Sequence, residues 1–220
     1  MSGLRASIRL YGLVKNLGSS DNPNHQPVDI LCTVNRMGCK AIRAFVSRLD
    51  AELMARSAGY DDYRVIPLRT FDPNGFIDVY QGWLSLHLCC GFVAPAGQSM
   101  FHQGVLSPMG WYVYSETGRW TAERYLDFGP QMAELLQTTY DQHRLTGYNA
   151  WLNQLDDATS AELNWHADEA WQQLQTLTPP NSREHRHALF DSVDNRWRFA
   201  ATDVDLYQPH LEPLKQGALN

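Results

Sequence analysis

Apolar and polar positions alternate strictly over residues 4 to 11: Leu4, Ala6, Ile8 and Leu10 fall on one side, Arg5, Ser7, Arg9 and Tyr11 on the other. That period of two predicts a half-buried strand. The polar, turn-rich stretch 18–27 reads as a loop, and Val28 to Val34 fits either a strand or the first turns of a helix. From Asn35 or Arg36 to Ala58 the period lengthens. Ile42, Phe45, Val46, Leu49 and Leu53 recur at helical spacing and Gly59 stands where a C-cap belongs, so a long helix is predicted. Opposite its apolar side, Arg36, Lys40, Arg43 and Ser47 form a narrow basic stripe.

Tyr63 to Thr70 reads as a strand closed by the turn Asp72-Pro73-Asn74-Gly75. Phe76 to Val93 fits both periods: Leu84, Leu86, Leu88 and Cys90 alternate, while Phe76, Val79, Tyr80 and Trp83 suit a helix. Trp111 to Tyr114 and Arg119 to Thr121 flank a turn and predict a hairpin. The remainder reads as mostly helical. Pro130 stands where a helix begins, Met132, Leu135, Leu136 and Tyr140 form its stripe, and Gly147 ends it. A second helix starts near Ser160, carries Leu163, Ala167, Ala170, Leu174 and Leu177, and stops before Pro179. The expected class is α+β, with an N-terminal β-ribbon element (residues 1–60) joined to a largely helical body (61–220) and packed with it as one unit.

Composition adds limits. With 220 residues and 44% hydrophobic content the chain can bury a full core. Cys32, Cys39, Cys89 and Cys90 show no disulfide framework, so buried thiols are expected. Every apolar run falls far short of the roughly 20 residues that a membrane span needs, and residues 1–16 contain no signal-like apolar stretch. The expectation is a cytoplasmic protein. The net charge of -6 is uneven: residues 1–110 hold 10 basic and 8 acidic side chains, residues 111–220 hold 8 and 16. A basic face on an acidic body is therefore possible.

Gly-x-Gly-x-x-Gly, P-loop, Gly-x-Ser-x-Gly and Cys-x-x-Cys patterns are all missing from the sequence, which weakens an enzymatic reading and leaves no catalytic, metal or cofactor assignment. Glu162 and His166 lie four apart on a helix, with Asp168, His185 and His187 downstream. A metal-dependent hydrolase would use such a set, and surface solvation explains it equally. His87 beside Cys89 and Cys90 invites a nucleophile reading, but the segment is the most apolar of the chain and reads first as core. Trp151, Trp165 and Trp171 likewise read as core or interface.

The N-terminal strand has two readings. Two copies paired across a homodimer axis would present Arg5, Ser7 and Arg9 to base edges in a DNA major groove; otherwise it is an edge strand with a solvated face. Three stretches, LRASIRL (4–10), PNGFIDVY (73–80) and MAELLQTTYDQHRLTG (132–147), come in the order and at about the spacing of one family. On them the chain resembles the AcaB-like transcriptional regulators of IncC-type conjugative plasmids and integrating conjugative elements. The resemblance implies a DNA-binding regulator of conjugation genes with a ribbon-helix-helix element, although a long loop (12–27) separates strand from helix. It makes Arg5, Ser7 and Arg9 the base contacts, and Arg36, Lys40, Arg43 and Lys15 the phosphate contacts. Double-stranded DNA and a second copy of the chain are then the expected partners. The alternative is a protein-interaction accessory or anti-defence factor of a mobile element that uses its acidic half.

Overall fold

The computed structural model describes residues 3–16, 28–34, 40–59, 62–96, 99–102, 104–177 and 185–201. Its strands are β1 (Tyr11–Asn16), β2 (Val28–Ile30), β3 (Cys32–Val34), β4 (Lys40–Phe45), β5 (Tyr63–Pro67), β6 (Trp83–Ala94), β7 (Phe101–His102), β8 (Val105–Leu106), β9 (Pro108–Thr117), β10 (Arg186–Asp191) and β11 (Arg196–Ala201). The helices are α1 (Arg48–Ser57), α2 (Asn74–Val79), α3 (Gly129–Gln142), α4 (Tyr148–Asp157) and α5 (Ser160–Thr176), with a 3-10 turn at Leu68–Thr70.

Nine strands form one sheet in the order β11-β10-β6-β4-β1-β2, with β3 added to β4, β5 to β1 and β9 to β6; β7 and β8 pair separately. The fold is mixed α/β around this sheet, which corrects the expectation of an N-terminal ribbon on a helical body. Residues 4–10 contribute a single bridge, Ala6 with Leu126. Their backbone groups are taken by loops instead: the N–H of Leu4 donates to the carbonyls of Leu68 and Phe71, and that of Ser7 to Leu126. In this structure the segment stands outside the sheet ladder.

The long helix predicted from residue 36 is also corrected. Residues 40–45 are a strand, and α1 begins only at Arg48, where the Ser47 hydroxyl accepts from the Asp50 N–H at 3.3 Å. β4 runs parallel to β6, with Ile42, Arg43, Ala44 and Phe45 opposite Leu86, His87, Leu88 and Cys89. A parallel strand covered on both faces loses its polar-apolar alternation. All of 41–45 is buried, so its apolar run imitates a helix. The ambiguous stretch 76–93 holds both elements in turn, α2 and then β6. Trp111 and Tyr114 belong to β9, which pairs with β6 rather than with residues 119–121. The C-terminal region, expected to be helical, also contains the β10–β11 hairpin.

Beyond Cys89, β6 changes neighbour: Phe92, Val93 and Ala94 pair with Ala188, His187 and Arg186 of β10. Gly91 makes the change possible. Its φ of +62° suits glycine, and a Cβ there would lie 2.5 Å from the Ala188 carbonyl oxygen. The Gly91 N–H donates to the Asp50 carboxylate at 2.8 Å and so ties α1 to this junction. α5 follows its predicted stripe, with Leu163, Ala167, Ala170 and Leu174 buried behind a Thr159–Glu162 capping box. Phe45, Leu49, Leu53, Leu86, Phe92, Tyr140 and Phe190 lie in the same apolar core, each worth about 1.5–3 kcal/mol if fully transferred from water. Among the described residues no helix is long and apolar enough to cross a membrane.

Candidate anion-binding cleft

Segments from across the fold, β1 with Tyr11 among them, wall a cleft of about 500 Å³. The segment before β1 supplies Arg5, Ala6, Ile8 and Arg9; β5 supplies Val65 and Pro67; the 3-10 turn supplies Arg69; α1 supplies Arg48 at its first residue; and the end of α4 supplies Asp156 and Asp157. Tyr125 completes the rim and is 56% exposed. The volume is within the range of small-molecule sites, about 300–1,000 Å³.

Charge in the cleft is opposite to that of the chain. Four arginines face two aspartates, against a net charge of -6 overall. Asp156 is already engaged, because it accepts hydrogen bonds from the Arg9 guanidinium and from the Tyr11 hydroxyl. The bond to Asp156 raises the Arg9 pKa, and burial followed by the same carboxylate raises that of Tyr11. Arg48 donates to the Ala158 carbonyl at 3.4 Å. Arg5 and Arg69 are exposed and have no ion pair among the described residues. Arginines held on rigid neighbours, with their forks free, can take a carboxylate or phosphate through two parallel hydrogen bonds.

The expected DNA contacts are dispersed. Arg5 and Arg9 enter the cleft, whereas the Ser7 hydroxyl accepts from the Phe128 N–H at 3.1 Å. Arg36 lies outside the described residues. Lys40 is exposed on β4, 5.8 Å above the Tyr80 ring, and Lys15 on β1 pairs with Asp62 at 2.8 Å. Arg43 is only 7% exposed and lies on β4 opposite His87. The basic stripe therefore does not exist as a helix face: Lys40 and Arg43 sit on a strand, one exposed and one buried, and Ser47 caps α1.

The metal-like set is separated as well. Glu162 caps α5 through Thr159, Asp168 pairs with Arg56, His185 accepts from the Ala96 N–H at 3.2 Å, and the His187 ring meets the Cys90 carbonyl at 2.6 Å. Cys89 and Cys90 are buried, and burial pushes the Cys89 thiol up to about 12. Trp151 is buried, Trp171 packs edge-on against Phe101, and Trp165 is 53% exposed. Arg48, Arg69 and Tyr125 escaped the sequence reading. Nothing in their spacing links them, because the cleft joins positions 5, 48, 69, 125 and 156 through tertiary structure. Compared with family models, curated proteins and solved structures, the chain shows no significant match.

Proposed function

We propose that this chain is a binding protein whose cleft takes a small phosphate-bearing ligand with an apolar or aromatic body. The observation that carries the reading is the pair Arg5 and Arg69, exposed and outside every ion pair among the described residues, sharing one cleft with Arg48 and an apolar wall. The three guanidinium groups receive the phosphate. Ile8, Leu10, Val65 and Pro67 receive the body, and Tyr125 offers a ring for stacking.

Calorimetric titration with adenosine monophosphate tests the reading. Saturable one-to-one binding is expected, and Arg69→Ala should weaken it by about tenfold to a hundredfold, the weight of a charge-assisted hydrogen bond. Absence of heat with the wild-type chain, or equal affinity in Arg69→Ala, overturns it. The family resemblance makes duplex DNA the second titrant. A DNA-binding regulator would bind it with steep salt dependence, but by a surface other than a two-copy ribbon of residues 4–10.

A further inference from the structure

Two of the charged residues in the cleft are negative, and both stand at one end of α4. Asp156 and Asp157 close that helix, where the last carbonyls add a further partial negative charge. Asp156 is held in place. Its side chain is only 9% exposed, and it accepts hydrogen bonds from the Arg9 guanidinium and from the hydroxyl of Tyr11, itself buried on β1. Arg9 is therefore committed inside the cleft although half of its side chain faces solvent. Asp157 acts on the same guanidinium charge.

The balance of charge in the cleft follows from that contact. Four arginines against two aspartates leave an excess of two positive charges, and Arg9 adds nothing to the excess because Asp156 cancels it. A phosphate monoester carries about 1.5 to 2 negative charges at pH 7, which matches. A second or third phosphate brings charge for which no uncommitted guanidinium is left, and brings it toward the acidic end of α4, where like charges repel. We infer that Asp156 is a specificity residue: by holding the Arg9 fork it confines the cleft to monophosphates and turns away the di- and triphosphates of the same ligand. The inference rests on the phosphate reading of the cleft. With the charge of Asp156 removed, the Arg9 fork is free to donate to a further phosphate, and the excess of positive charge rises by one.

The test is calorimetric titration of the full chain with adenosine mono-, di- and triphosphate, without divalent cations and over a chloride series, repeated with Asp156→Asn. The wild-type chain should bind the monophosphate about tenfold or more tightly than the triphosphate at low salt. Asp156→Asn keeps an acceptor for Tyr11 and loses the charge. It should bind the triphosphate about tenfold more tightly than wild type does, erasing most of the preference. Added chloride should narrow the preference in the wild-type chain, because screening weakens the repulsion; a limit set by size would answer to neither change. The salt series needs no variant, so it decides the matter if Asp156→Asn does not fold. Di- or triphosphate binding the wild-type chain as tightly as the monophosphate overturns the inference and leaves the phosphate reading standing. So does a preference that folded Asp156→Asn keeps, or that salt leaves untouched. Absence of binding by all three nucleotides overturns both.

Discussion

Asp50 and Arg43 are both ionisable, both almost fully buried, and both attached to the β4–β6 core, yet they meet the cost of a buried charge differently. Asp50 has one identified donor, the Gly91 N–H at 2.8 Å, and burial pushes its carboxyl up to about 7 despite that bond. Below about pH 7 it escapes the cost by keeping its proton. Arg43 has no such escape, because guanidinium stays charged throughout the accessible pH range. A buried acid can neutralise itself; a buried arginine cannot. The cleft shows the exposed counterpart, in which Arg9 is neutralised by Asp156 while water screens Arg5 and Arg69.

The sharpest way to break the comparison is at the junction that holds Asp50. Gly91→Ala forces a side chain into a φ of +62° and against the Ala188 carbonyl and the His187 ring. A loss of about 3 kcal/mol or more is expected in urea denaturation; a variant of wild-type stability would show that β6 does not need this turn.

Asp50→Asn tests the self-neutralising half. The folded carboxyl titrates near 7 and the unfolded one near 3.8, so its contribution is fully present below about 3.8 and is lost as pH rises toward 7. Asparagine keeps the acceptor for Gly91 and cannot ionise. Relative to wild type, Asp50→Asn should therefore gain on the order of 3 kcal/mol at pH 8 and almost nothing at pH 3.5. Equal stabilities at pH 8 would mean that the carboxylate is tolerated in the core.

The smallest effect belongs to a surface pair. Lys15→Ala removes the ion pair to Asp62, whose carboxylate is 73% exposed. Salt screening should leave the melting temperature essentially unchanged, and a clear loss would contradict the contrast between buried and solvated charge.

How much of this was legible in the sequence depends on what each pattern encodes. Alternation over 4–11 put Leu4 and Leu10 on the buried side and Arg5, Ser7 and Arg9 on the exposed one, but it placed Tyr11 with the exposed set and Tyr11 is buried. It could not tell that Leu68, Phe71 and Leu126 would take the backbone groups in place of a neighbouring strand. The stripe of α5 was readable because one face of a surface helix is buried and the other is not. β4 was unreadable for the opposite reason: buried on both faces, it carries no period, and its join to α1 at Ser47 extended the apparent helix back through it. The cleft is the least legible feature. Arg5 and Arg9 were singled out for their place on one strand, whereas their chemistry comes from meeting Arg48, Arg69 and Asp156 across the fold.

The most direct measurement of the central claim follows the arginine side chains themselves. In an NMR titration with adenosine monophosphate, the Nε–Hε signals of Arg5, Arg48 and Arg69 should shift together and saturate with one dissociation constant. Arg196, paired with Asp194 on β11 and away from the cleft, should not move. Shifts confined to Arg196 and other surface arginines, or none at all, would contradict a phosphate-binding cleft.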